Sequence, residues 1–372
     1  LRQPIATAAT RSNEHASSDL QLDAHSRFRR LWRNLALQDF IVLGFQSYMF
    51  VRALLSPDGA DARVARIVTA LLLSVALATL ALTRGELIAP GFKRSSIYCI
   101  GLFASMLASY FALRWCLAAL QARLLDPELY RIDRALFGET PAVLFDRFVT
   151  PASVEWFAFF YYGYFFLVAA HLLGTLIFDS GRRRYELLLG AAIVVSVGHA
   201  SYTIVPGIGP HEYCAALFHH QLVGGAWWDR VESAVRSGGA MLDIFPSLHT
   251  ALPTLFALHS FRHRQRRPYR QSWLLVSAAV VNIVIATLFL RWHYGIDVLA
   301  GLLLAFTAQR VAVFAWRREG ERATQGRQEV WERLAPSHMQ TQDFNYIAGL
   351  FMIHLGALLL AVTASWSSVA QP

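Results

Sequence analysis

The chain has 372 residues, of which 55% are hydrophobic and only 16% charged, and its mean hydropathy is +0.38. A soluble domain usually carries about 25% charged residues, so the composition excludes an ordinary soluble globule and points to an all-α polytopic membrane protein. The net charge of +9 comes almost wholly from arginines lying between apolar runs, a positive-inside pattern that argues against a nucleic-acid partner.

Residues 1–34 open with a polar stretch, read as a cytoplasmic tail, and end in Arg27, Arg29, Arg30 and Arg33. Three apolar runs follow at about 35–55, 67–83 and 97–120, each near the ~20 residues that cross a bilayer. The stretch 125–148 differs. Glu128, Arg131, Asp133, Arg134, Glu139, Asp146 and Arg147 alternate with Leu129, Tyr130, Ile132, Leu136, Phe137, Leu144 and Phe145. That is too polar to span and reads as short amphipathic helices at the interface. Further spans are expected at about 154–178, 187–205, 246–261, 273–290 and 296–316. A charged segment over 317–345 precedes a last apolar run at 346–366, making about nine spans in all. The implied division is a tail (1–34), N-terminal transmembrane helices (35–120), a core with the interfacial segment (121–316), the charged segment (317–345) and a C-terminal transmembrane helix (346–372).

With the amino terminus inside, five segments hold most of the arginine: 27–33, 84–94, 182–184, 262–270 and 317–333. This topology puts His211, His249, His293 and Asp297 together at the outer leaflet. The arginine and alanine bias fits a bacterial inner membrane, with these residues facing the periplasm.

Two polar stretches flank one apolar hairpin: Asp243-Ile244-Phe245-Pro246-Ser247-Leu248-His249, and Arg291-Trp292-His293-Tyr294-Gly295-Ile296-Asp297. His293 and Asp297 are four apart and share a helical face. A carboxylate on one ring nitrogen fixes the tautomer and leaves the other nitrogen nucleophilic. Pro246 suits a first helical turn, and amides at that helix start attract phosphate; His249 is then placed to act as general acid. Pro206-Gly207-Ile208-Gly209-Pro210-His211 can turn backbone amides towards an anion, and Arg291 is a further phosphate ligand. Each element alone also has a bland explanation, such as an interfacial histidine, a helix cap, a loop or a snorkelling arginine.

Together, Phe-Pro-Ser-Leu-His-Thr followed by His-Tyr-x-x-Asp-Val-Leu-Ala-Gly resembles the second and third motifs of the type 2 phosphatidic acid phosphatase superfamily. The resemblance covers about 133–308, a six-helix core. It implies a phosphohistidine mechanism with His293 as nucleophile, Asp297 as its orienting carboxylate and His249 as general acid, while Ser247 and the helix-start amides match phosphate ligands. The Lys-x6-Arg-Pro motif of the phosphatase branch is missing, and Thr287 stands where that branch has an arginine. The chain is more similar to the inositol phosphorylceramide synthase-like branch, which lacks both cations; Tyr294 and the Pro-x-x-Gly-Pro turn match it, and His211 stands where many relatives have a basic residue.

The expectation is therefore a lipid phosphotransferase with a lipid phosphoester substrate and a hydroxyl acceptor. Its substrate-binding residues are Ser247, Arg291, His211, Gly209 and Tyr294, and it uses no cofactor or metal. Arg131 and Arg134 are further candidates to neutralise the phosphate. The alternatives are a lipid phosphate phosphatase, with water as acceptor, and a non-catalytic transporter or scaffold.

Overall fold

The computed structural model describes residues 28–325 apart from 180 and 239, and these residues are all-helical, without strands. Six helices are long and apolar enough to cross a membrane. They are α2 (Ala60–Arg84), α3 (Phe92–Leu120), α6 (Pro151–Phe178), α7 (Gly181–Tyr202), α11 (Tyr269–Phe289) and α12 (Gly295–Thr324). The first expected span is helix α1 (Leu37–Leu54), and the expected span at 246–261 is helix α10 (Leu248–Arg262). The span expected at 346–366 and most of the charged segment lie outside the described residues. Where that segment is described, α12 simply continues through it to Thr324.

Helix α10 differs from the others. Its 15 residues rise ~22 Å, short of the ~30 Å hydrocarbon core. It is enclosed by α6, α7, α11 and α12, and Ala251, Leu255, Phe256 and His259 are fully buried. Pro253 sits inside it, so the carbonyl of His249 loses its helical donor. Gly301 of α12 lets the two helices close up, because a Cβ there would lie 2.6 Å from the Ser247 carbonyl oxygen.

The expected amphipathic stretch is α4 (Asp126–Phe137), the single turn α5 (Pro141–Leu144) and a 3-10 turn at Asp146–Phe148. Pro127 favours the start of α4, and Gly138, at φ 82°, ends it. Helix α6 starts cleanly because Thr150 and Ser153 form a reciprocal capping box with Pro151 between them.

Helices α1, α2 and α3 are held by a buried polar knot. Arg84 of α2 pairs with Asp39 of α1 at 2.9 Å and donates to the Tyr98 hydroxyl of α3 at 2.8 Å. Gln38 donates to the same hydroxyl at 3.0 Å. This unit packs on the rest chiefly through α7. Removing one partner of a buried ion pair strands the other charge, which costs about 3–5 kcal/mol. Arg84→Met is therefore expected to lower the thermal unfolding midpoint of the detergent-solubilised protein markedly, and an unchanged midpoint would refute the knot's role.

Candidate active site

The two polar stretches meet at one end of the bundle. His249 lies in the first turn of α10 and His293 in the loop entering α12, with ring centroids 6.5 Å apart. His293 Nδ1 lies 3.4 Å from Asp297 Oδ2. The same oxygen accepts the Tyr294 amide at 2.9 Å, the reach-back of an acidic third residue towards its helix start. Asp297 thus caps α12 and orients His293 with one oxygen, and its Oδ1 is buried without a partner. The His249 ring stacks on Tyr161 at 4.4 Å and lies 4.1 Å from Tyr164. Its Nε2 is buried and unpartnered.

His211 reaches the same place. It packs against Trp292 at 4.8 Å, its amide donates to the Arg291 carbonyl at 2.9 Å, and its Nδ1 is unpartnered. Burial lowers its pKa below the ordinary 6.5, and the nearby His293 adds to that effect while Glu212 and Asp126 oppose it. His211, Asp243, His249, Trp292 and His293 line one cavity of about 290 Å³. The residues lining it include no arginine or lysine.

Several expected ligands are committed elsewhere. The Ser247 amide donates to the Asp297 carbonyl at 3.0 Å and its hydroxyl accepts from Thr250 at 3.1 Å; Ser247 is the cap of α10, and Pro246 precedes the helix and does not open it. The Gly209 amide donates to Asp126 Oδ1 at 2.8 Å, and its neighbour Ile208 donates to Oδ2 at 3.0 Å. Gly209 is needed for shape instead: it sits at φ 85°, and a Cβ there would lie 2.9 Å from the Trp292 carbonyl oxygen. The Tyr294 hydroxyl, fully buried, donates to Asp126 at 3.0 Å. Arg291, at φ 64°, turns away from the cavity and donates to Asp146 at 2.7 Å and to the His220 carbonyl at 2.6 Å. Arg131 and Arg134 are exposed and do not line the cavity.

The interfacial segment supplies the groups that hold these loops. Asp126 binds the 206–210 turn and Tyr294. Asp133 accepts the first two amides of α12, Gly295 at 2.7 Å and Ile296 at 2.8 Å, and also the Thr140 hydroxyl at 2.7 Å. Burial holds the Asp133 carboxyl above its ordinary pKa despite these donors. Asp146 accepts from Arg291, the His219 amide at 2.9 Å and His220 Nδ1 at 3.0 Å. Burial raises its pKa, but those donors outweigh the effect and the carboxyl sits below its ordinary range.

Asp243 has no role in the sequence reading although it opens the first polar stretch. It lines the cavity with Tyr110, Tyr161, Tyr164 and Tyr202. Burial holds its carboxyl above the ordinary aspartate pKa, opposed by its own amide and by His293. Its sequence signal is an acid inside an otherwise apolar stretch, which is costly without a purpose.

Residues 127–311 match the family model of the PAP2 superfamily. The PAP2 region therefore spans most of α4 through the middle of α12 and leaves α1–α3 outside it. It bears out the resemblance at superfamily level. No curated protein and no solved structure matches the chain. The three-donor cluster outside the PAP2 motifs, Glu186, His259 and His263, lies at the far end of α10. Its carboxylate is already held by Arg182 at 2.7 Å, Arg262 at 2.9 Å and His263 at 3.0 Å.

A histidine with a depressed pKa contributes stability above its ordinary pKa that is lost as pH falls. The midpoint of wild-type protein should therefore drop between about pH 7 and pH 5, and His211→Gln should flatten that slope; an equal slope in both would exclude His211 as a contributor. Asp126→Ala strands buried donors at about 1–3 kcal/mol each. Hydrogen exchange at Ile208 and Gly209 should quicken in that variant more than elsewhere.

Proposed function

We propose that the protein is a membrane phosphotransferase that moves a phosphoryl head group from a lipid phosphoester to a hydroxyl acceptor at the extracytoplasmic face. The observation carrying this reading is the pair of buried histidine rings 6.5 Å apart, one backed by a carboxylate and both opening on an apolar cavity. A tetrahedral phosphoryl group fits between such rings.

With Asp297 on Nδ1, the Nε2 lone pair of His293 attacks phosphorus. The phosphorus–oxygen bond to the leaving group breaks, and that oxygen departs with a proton from His249. The acceptor hydroxyl then gives its proton back to His249 and attacks the phosphoryl-histidine, and the phosphorus–nitrogen bond breaks. The Asp243 carboxyl, on the same cavity wall, is suited to orient the acceptor hydroxyl. Among the described residues no guanidinium or ammonium lines the cavity, so phosphate charge falls to His211, the His249 amide at the start of α10 and the forming imidazolium. A transfer reaction must keep water out, and the enclosure by Trp292, Tyr161 and Tyr164 supports transfer over hydrolysis. The missing phosphatase-branch cations support the same lean towards the inositol phosphorylceramide synthase-like branch.

The test is a product assay on purified protein with a panel of lipid phosphates and phosphodiesters, with and without hydroxyl-bearing acceptors. A new phosphoester of the acceptor, formed only when the acceptor is present, is the expected result: a phosphomonoester from a lipid phosphate and a phosphodiester from a phosphodiester donor. Free phosphate released regardless of acceptor makes the protein a lipid phosphatase. His293→Ala and His249→Ala should each lower turnover by at least about 10³-fold, on the scale of a lost nucleophile or general acid, while remaining folded. Retained activity in His293→Ala removes it as the nucleophile.

A further inference from the structure

The cavity below the two histidines continues as a slot far from them. Helices α3 and α6 both pack on α7 but scarcely touch each other. The gap between them is walled by Leu102, Phe103, Met106 and Leu107 of α3, and by Phe165, Val168, Leu172 and Leu176 of α6. Helix α7 closes the back with Leu188, Ala191 and Val195. The deep end is reached at Gln38 and Cys99, near the opposite ends of their helices from the catalytic histidines. Leu107 and Phe165, 54% and 44% exposed, stand at its outer edges.

The slot is long and narrow. From Tyr161, which stacks on His249, to Leu176 the α6 wall rises ~22 Å at 1.5 Å per residue. That exceeds the ~15 Å depth of one leaflet's hydrocarbon. Its polar groups gather at the histidine end, and the remainder is almost wholly aliphatic and aromatic.

We propose that this slot is a binding site for one extended hydrocarbon chain of the lipid substrate, which enters sideways from the bilayer between α3 and α6. The head group then lies between His249 and His293 and the chain runs inward along α6. The proposal rests on the lipid phosphoester reading for the identity of the head group. It goes beyond that reading by assigning substrate selection to α3, a helix outside the region shared with the PAP2 superfamily. An extended chain fits the slot because its walls along α3, α6 and α7 are mostly apolar and, among the described residues, the exposed Leu107 and Phe165 flank a lateral opening. A water-soluble phosphoester would leave that apolar length in contact with nothing. Selectivity for chain length follows, since a chain longer than the slot must fold back at its deep end and a shorter one leaves part of the apolar wall without packing partners.

Two measurements test this. Turnover is compared for phosphatidic acids with short and long acyl chains in wild type and in Leu102→Trp and Leu172→Trp. The indoles narrow the slot about three-quarters of the way to its deep end, so the ratio of long-chain to short-chain turnover should fall about tenfold, equivalent to ~1.4 kcal/mol of hindered binding. A ratio unchanged while both rates fall would mean a general structural defect and would overturn the proposal.

The second measurement does not need turnover or a variant. Wild-type protein in membranes is irradiated with a long-chain phosphatidic acid bearing a photoreactive group at the chain end, and labelled peptides are identified by mass spectrometry. Labels at 99–106 and 168–176 are expected. Labels confined to the outward face of α2, around Leu71 and Leu77, would overturn it, as would cross-links placing the apolar run 346–366 in the slot. If no lipid phosphoester is turned over yet the slot is labelled, the assigned reaction fails and the chain site stands.

Discussion

Backbone amides at the mouth of this bundle depend on three aspartates of one interfacial segment. Asp126, Asp133 and Asp146 each accept hydrogen bonds from loops that belong to distant helices. An unsatisfied buried amide costs free energy comparable to a lost hydrogen bond. The loops 206–210, 219–220 and 291–296 therefore adopt the conformation in which these carboxylates can reach them. Asp133 acts as a cap supplied from another helix for α12, whose start would otherwise bury orphan donors. With Asp297 as the internal cap, the entrance to α12 is fixed from two sides, and His293 has little freedom beside it.

The same arrangement explains why no arginine or lysine among the described residues lines the cavity. Arg291 is adjacent in sequence to Trp292 and His293, yet its guanidinium is spent on Asp146 and the His220 carbonyl and lies 3.9 Å over the Phe218 ring. A cation that ties loops together cannot also face the cavity. The site is left with buried imidazoles and the His249 amide at the start of α10. That environment favours a charge that appears during reaction over one that is always present, because preorganised dipoles cost no reorganisation when charge develops.

Much of this was legible in the sequence where local pattern and chemistry coincide. The long apolar runs, the short helices of 125–148 and the approach of His249 to His293 follow from hydropathy, charge and the order of the polar stretches. Asp297 four residues after His293 gave both its position and its partner. Ligand assignments fared differently because they turn on where a side chain points. Arg291 and Tyr294 lie in the right stretch, but a positive φ at one and an Asp126 partner for the other direct them out of the cavity. The anchoring role of 125–148 was partly readable: Asp126, Leu129 and Asp133 follow an i, i+3, i+7 pattern, so two acids share the buried face with a leucine. Acids on an apolar face require buried donors, and which donors they meet is a long-range matter that no local pattern encodes.

The N-terminal helices carry the same reasoning one step further. Their buried Asp39–Arg84–Tyr98 knot ties the three helices into one unit. The unit docks on α7 through apolar surface and a few polar contacts, among them Ser109 with His199 at 3.0 Å and Arg52 with the Thr203 carbonyl at 2.7 Å. It does so at one side only, so α3 faces α6 across a gap that neither helix fills. A close-packed interior leaves few voids larger than a water molecule, and an apolar gap of this length facing lipid would be filled by the bilayer's own chains. On the reading proposed above, the gap opens at its polar end on His249 and His293, so a chain whose head group is a phosphoester would gain contact at both ends and a chain without one at only one.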